Sequence, residues 1–364
     1  MFDTNTSDDP VDQPAIFRIA AQRFEPLDRG YRATASLYHD YSSHRIGWRT
    51  AYCDIRMKEG ALVRVFWKGV PEPVDGITPV TRVAVVDEPI RFENLFLTVP
   101  PSWVRDRELV ERAARLWDSL SDPQRELFNC VFWDGGRFGR YCRGPSSLRG
   151  HHAGVNGNLR HSIDSAEAGL QLHKLMPAAN TGLLTLACLL HDAGKADECE
   201  DGHRQMLGLS DRGQVLGHRV TIVEWVAVAR TRMRQGFPEA EYLSLLHCLS
   251  AVAHVPAWTG LREPMTPEAL LLSHVDRISG QGDLATSQQA KDGGWGTSHP
   301  HLGRPFYSLG PKPRGGLPGL DRMLELIRRA DAEGVDTRTL FPIPPDIAAR
   351  MVSPPRQDDG EESA

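Results

Sequence analysis

The sequence predicts an α+β protein of more than one domain, a small N-terminal β-barrel followed by an all-α helical bundle. Three observations carry this. At 364 residues the chain is long enough for two domains with separate cores. From about residue 17 to 99, β-branched and aromatic residues alternate between turn signals, the period of half-buried strands. After "VPPSW" the period turns helical, with Leu109, Ala113, Leu116, Trp117 and Leu120 recurring at spacings of three and four.

The opening "MFDTNTSDDPVDQP", residues 1–14, is polar and acidic and reads as disordered; it lacks the basic and apolar parts of an export leader, which predicts a cytoplasmic protein. Residues 15–100 form the β domain. Within it, "WRTAYCDIRMKEGALVRVFWKG", residues 48–69, reads as two strands joined at Lys58-Glu59-Gly60. Trp48, Tyr52 and Arg56 fall on one side of the first, and Arg64, Phe66 and Lys68 on one side of the second. Between Ala15 and Val70 there are ten Lys/Arg against five Asp/Glu. A five-strand barrel of the OB type fits this pattern, because such barrels hold single strands in a charged groove with stacking aromatics. Trp48, Tyr52, Arg64, Phe66 and Lys68 are therefore candidate substrate-binding residues; the alternative is that the aromatics fill the barrel.

Residues 101–280 read almost entirely as helix, with segments near 158–176, 181–193, 217–235, 239–254 and 267–279, and Ser121-Asp122-Pro123 opens an earlier one. Residues 281–317 form a Gly/Pro-rich loop, 318–349 a C-terminal helical segment and 350–364 a disordered tail. The apolar stretch Gly182 to Leu190 is too short to cross a bilayer. Six cysteines with no C-x-x-C pair argue against a zinc ribbon and a disulfide framework. A net charge of −5 does not by itself announce a nucleic-acid partner.

Ten of the fourteen histidines lie between His151 and His274. His161 sits on a helix that is apolar across a wide arc, and Asp276 at the edge of an apolar stripe, where a carboxylate is costly without a cation. In "LACLLHDAGKADE", His191 and Asp192 close an apolar helix that Gly194 ends. Imidazole and carboxylate without thiolate suit Mn²⁺, Fe²⁺, Ni²⁺ or Mg²⁺. His218 and His254, near a helix start and a helix end, complete the set. Adjacent helical residues project about 100° apart, so His191 and Asp192 do not easily chelate one ion. Two ions about 3.5–4 Å apart, bridged by Asp192, relieve that difficulty and suit phosphoester hydrolysis. Lys195 is then a cation for a phosphate oxygen.

"LLHDAGK", the upstream "NLRHS" and the downstream "SHVD" resemble the H…HD…D signature of HD-domain phosphohydrolases. The stretch from "HHAGVNGNLRHS" through "SDRGQVLGHRV" and "AVAHVPAW" to "SHVD" is similar to the YhaM family of bacterial 3′-to-5′ exoribonucleases, which place an OB-type domain before the HD domain. The resemblance implies metal ligands at His161, His191, Asp192 and Asp276, with His218 and His254 serving a second ion. Asp192 and Lys195 are the candidate catalytic residues, and His151-His152 match the family's doublet and are candidate substrate contacts, the alternative being that they order the turn. Two departures stand out: the family's paired glycines are Gly157-Asn158 here, and its S-H-H-G is Val252-Ala253-His254-Val255. The implied cofactors are two divalent ions, Mn²⁺ first among the candidates, and the implied substrate is single-stranded RNA. The alternatives are an HD-type conjugative relaxase nicking single-stranded DNA, an HD nucleotide phosphohydrolase, and a non-catalytic nucleotide-sensing or nucleic-acid-binding module.

Overall fold

The computed structural model describes residues 16–133, 136–148, 150–201, 207–300 and 302–310. The expectations for residues 1–14, 318–349 and 350–364 lie outside these. Five strands close a barrel: β1 (Phe17–Pro26), β2 (Tyr31–His39), β3 (Ser42–Thr50), β4 (Leu62–Trp67) and β5 (Thr78–Val85), in the order β1-β2-β3-β5-β4. Closure comes from a long β1 that pairs β2 and β4, with a register shift between Ile19 and Ala21, and from a short parallel contact of β3 with β5. The result is an OB-like barrel. Its core is Phe17, Ile19, Ala35, Leu37, Ile46, Met57, Val63, Val80 and Val83.

Two strand expectations need correction. The reading of residues 48–57 as one strand fails because β3 ends at Thr50, and residues 51–61 form a connection. β3 and β4 are also no hairpin, since β4 pairs with β5 and β1. Barrel closure, a non-local demand, overrides the local alternation.

The helical domain starts with a 3₁₀ turn, Leu95–Thr98, whose Leu95 and Phe96 already pack in the helical core. There follow α1 (Arg107–Asp118), α2 (Asp122–Val131), α3 (Arg137–Arg143), α4 (Gly157–Leu172), α5 (Thr181–Leu190), a small hairpin of β6 (Cys199–Asp201) and β7 (Leu207–Leu209), α6 (Asp211–Val215), α7 (Gly217–Arg232), α8 (Glu239–Ser250) and α9 (Pro267–Ser287). Ser121 and Gln124 form the capping box that starts α2. α5 is buried at every position from Leu183 to Leu190, as a helix apolar all round must be. α9 runs seven residues into the segment read as a loop from 281, since the lone glycines Gly280 and Gly282 do not end a helix. A separate compact unit, which among the described residues contains Gln288–Ser298 and Pro305–Gly310, includes a short hairpin, β8 (Gly294–Trp295) with β9 (Tyr307–Ser308), in which Trp295 meets Tyr307 edge-on.

Arg18 ties barrel to helices. Only 4% exposed, it donates from Nε and Nη2 to Thr98 Oγ1 (3.0 and 2.8 Å) and from Nη1 to the Gly60 carbonyl (2.7 Å). Its guanidinium stands 5.0 Å from the Trp103 ring and 5.2 Å from that of Phe138. Burial pulls its pKa down to about 10. A second tie joins Arg107 of α1 to Asp40 after β2, at 2.7 Å. Replacing Arg18 by Met strands two buried acceptors and removes the stacked cation; we expect it to cost about 2–4 kcal/mol in urea unfolding. An unchanged midpoint would show that the seam does not rest on this residue.

Candidate metal centre and its surroundings

Three buried segments meet at one point. His161 comes from the second turn of α4, Asp276 from the middle of α9, and His191 with Asp192 from the end of α5. His191 is the last residue with helical dihedrals; Asp192, at φ −103° and ψ 2°, has left the helix. The angular objection to chelation by adjacent residues therefore does not apply. Gly194 follows because α7 arrives there: a Cβ would stand 2.2 Å from the His218 carbonyl oxygen. Gly157 at the start of α4 is pressed likewise, with a Cβ position 1.8 Å from the His152 carbonyl oxygen.

His161 Nε2 lies 3.1 Å from Asp276 Oδ1, 3.2 Å from His191 Nε2 and 3.4 Å from Asp192 Oδ2. His191 Nε2 is 3.7 Å from Asp192 Oδ2 and 3.8 Å from Asp276 Oδ1. Ligands bound at about 2.1 Å to one ion, at right or tetrahedral angles, stand about 3–3.5 Å apart. A single N–H on His161 cannot serve three acceptors at once, whereas one cation among them can. Among the described residues, His161, His191 and Asp276 form a group able to hold a metal ion. Partners behind the imidazoles aim them. His191 Nδ1 has the Cys188 carbonyl at 2.8 Å, an acceptor only, so Nδ1 carries the proton and Nε2 presents its lone pair to the cluster. His161 Nδ1 has Ser279 Oγ at 2.9 Å.

Asp192 is 4% exposed. Burial alone would raise its pKa, but Lys195, then His191, His161 and His218, hold it well below the usual carboxylate range. Asp276 is depressed too, by its bonds to His161 and His191 against the opposing effect of burial. For His191, burial is outweighed by the two carboxylates, and the pKa rises.

The other oxygen of Asp192 faces a different residue, since Oδ1 is 3.4 Å from His218 Nε2. Glu198 Oε1 fixes His218 by accepting from its backbone N–H at 2.7 Å and meeting Nδ1 at 2.9 Å. His254 does not join. It sits after α8 at φ +60°, exposed, with its backbone N–H on Glu263 and no ring contact to the cluster among the described residues. His151 and His152 lie beside His161, with ring centroids 4.9 and 5.5 Å away. Burial pushes His151 down to about 4, and His152 packs on Ser279 and Asp283 of α9. Lys195 Nζ is 2.5 Å from Asp192 Oδ2 and 3.2 Å from Ser146 Oγ.

On the barrel, Arg64 and Phe66 face outward on β4, with Lys68 just beyond its end, and the Arg82 guanidinium lies 4.4 Å from the Phe66 ring. Tyr52 is exposed on the 51–61 connection, whereas Trp48 packs on the barrel core against Phe24. Trp48 therefore does not share the outer face of the others; the strand they were read from is interrupted. Sequence reading missed Ser279, one turn after Asp276, and Glu198, three residues after Lys195. It also missed Arg32, Arg45 and Arg49, which alternate outward on β2 and β3 and make no ion pair among the described residues.

No family model matches the chain, and no solved structure matches it. Curated relatives do. The chain is 28% identical over 140 residues to a protein named 3′-5′ exoribonuclease YhaM from Oceanobacillus iheyensis, covering 38% of this chain and 43% of the relative. It is 26% identical over 140 residues to the protein of the same name from Halalkalibacterium halodurans, covering 38% and 42%. The chain thus spans less than half the length of the curated relatives it matches. These similarities support the YhaM-like resemblance that the histidine and aspartate motifs carry, and with it a nuclease relationship.

His161→Ala is expected to lower Mn²⁺ affinity in equilibrium dialysis by more than Ser279→Ala, whose effect should be about 10-fold, as for partners behind a ligand. Equal effects would contradict the ligand assignment. In the metal-free chain, Asp192 and Asp276 have folded pKa values below the unfolded value of about 3.9. The unfolded state thus binds more protons there, so their stabilisation is complete above pH ~4 and declines as pH falls below it. Thermal melts at pH 3 and pH 5 check this; equal melting temperatures refute it.

Proposed function

We propose that the chain is a metal-dependent phosphodiesterase of single-stranded nucleic acid, acting as a 3′-to-5′ exoribonuclease. The observation that carries the reading is the convergence of the His161 and His191 Nε2 atoms with Asp192 and Asp276 in one buried cluster. His161, His191, Asp192 and Asp276 would hold one divalent ion, and the outer oxygen of Asp192 with His218 a second; Mn²⁺ is the first candidate, then Mg²⁺, Fe²⁺ and Ni²⁺. Such ions supply Lewis acidity and activation of water at phosphorus.

The chain's own residues do the rest. The Cys188 carbonyl and Ser279 keep both imidazoles turned toward the cluster. Lys195 and Ser146 hold the Asp192 carboxylate, and the lysine keeps it anionic. His151, with a pKa of about 4, stays neutral at pH 7 and adds no charge beside the ligands. On the barrel, Arg32 stands directly opposite Arg49, and Arg45 lies farther along the same face. Like charges set opposite each other are unfavourable in a sheet. A polyanion relieves that repulsion, and Phe66 offers a stacking face on a neighbouring strand pair. The preference for RNA and the 3′ polarity are supported by the names of the relatives. A cytoplasmic location belongs to the same reading; no helix among the described residues is long and apolar enough to cross a membrane.

Single-stranded RNA and DNA of equal sequence, labelled at the 5′ end and incubated with Mn²⁺, give the test. We expect a ladder of shortened RNA, lost on chelation and reduced about 10³-fold or more by Asp192→Asn, with circular dichroism confirming that the variant is folded. A single internal nick in DNA, or no turnover with any of the four metals, overturns the reading. Arg32→Gln with Arg49→Gln should weaken RNA binding and reduce its salt slope by about 0.7 per lost contact; an unchanged slope removes this face from the binding surface.

A further inference from the structure

We propose that Arg219 and Arg277, with the Ser273 hydroxyl, form the receptor for the substrate's reacting phosphate. The assignment rests on the phosphodiesterase reading and deepens it, by placing the phosphate between α7 and α9 and away from Lys195.

A cavity of about 210 Å³ touches His191, Asp192 and Asp276, and the same cavity is lined by Arg219, Ser273 and Arg277. Its volume is below the roughly 300–1,000 Å³ of drug-sized ligand sites, so it suits a phosphate with its sugar more than a longer stretch of strand. Ser273, Asp276 and Arg277 are at positions i, i+3 and i+4 of α9, which puts all three on one face of that helix. Arg219 reaches the cavity from the first turn of α7. Its Nη1 donates to the Ala251 carbonyl at 2.9 Å, which anchors one edge of the guanidinium at the end of α8. Neither arginine makes an ion pair among the described residues, and the Arg277 side chain makes no hydrogen bond there. Asp192 and Asp276 draw their compensation from imidazoles and Lys195 instead. Two uncompensated planar forks beside a metal-ligand edge are the chemistry that takes a phosphate bidentately.

Lys195 is committed elsewhere. Its side chain is 13% exposed and its ammonium lies between Asp192 and Ser146. It lines a different cleft, with Arg140, Arg143 and Arg212, that none of the cluster's histidines or aspartates touches.

The test uses the full chain loaded with Mn²⁺ and inorganic phosphate as the probe, titrated by calorimetry, alongside turnover of single-stranded RNA. Arg219→Gln and Arg277→Gln should each weaken phosphate binding about 10-fold or more and lower kcat/KM by a similar factor, with Mn²⁺ affinity and Tm unchanged. Arg277→Lys should recover part of both. Phosphate affinity and kcat/KM staying within about two-fold in both Gln variants, or a parent chain that binds no phosphate, overturns the proposal. A parent that binds phosphate but cleaves no RNA refutes the phosphodiesterase reading, and the phosphate titration of the variants still decides the role of the arginines.

Discussion

Burying the carboxylate of Asp192 is the constraint on which the helical domain depends. A lone ionised carboxylate at 4% exposure is prohibitively costly, and here four cationic or cation-capable groups reach it from separate segments. His161 brings α4, His191 the end of α5, Lys195 the 3₁₀ turn that follows, and His218 the start of α7. Asp276 then brings α9 against the same imidazoles. A shift of any one helix would leave a buried charge or an orphaned imidazole. The site is therefore also part of what orders the helices.

Charge is distributed unevenly around that point. The carboxylates are gathered inside, where imidazoles and a lysine answer them, whereas Arg219 and Arg277 at the adjoining cavity make no ion pair among the described residues. The same division recurs on the barrel, whose interior is apolar while Arg32, Arg45 and Arg49 face out. Arg18 is the exception. It is a buried cation with no carboxylate, satisfied by neutral oxygens and two aromatic rings, and it occupies the seam where the barrel meets the helices. A charge so placed cannot leave without exposing Thr98 and Gly60, so it favours one docking of the two parts.

Much of this was readable from residue order. Periodicity marked α1, α4, α5, α7 and α8 to within a few residues, because each buries one broad face in a shared core. It went astray at residues 48–57, where alternating residues continue beyond the end of β3, and at 281–287, where glycines sit inside α9. Both errors have one cause, since strand ends and helix ends here are set by barrel closure and interhelix packing, and local propensity yields to those. Trp48 shows the same limit: its place on the barrel core depends on a register that no local pattern encodes.

The sequence by itself determined the order of a β domain and a helical domain, and it singled out His161, His191, Asp192, His218 and Asp276, which the fold then brings together. Residue type and spacing along a helix are local properties, and local properties survive in a linear string. Only the tertiary structure decided that His191 and Asp192 converge, that Asp192 turns one oxygen to each side, that His254 stays outside and that Lys195 is spent on a carboxylate. Those facts depend on where α5 ends and on which helices arrive beside it from 26 to 85 residues away in the chain, a question of packing.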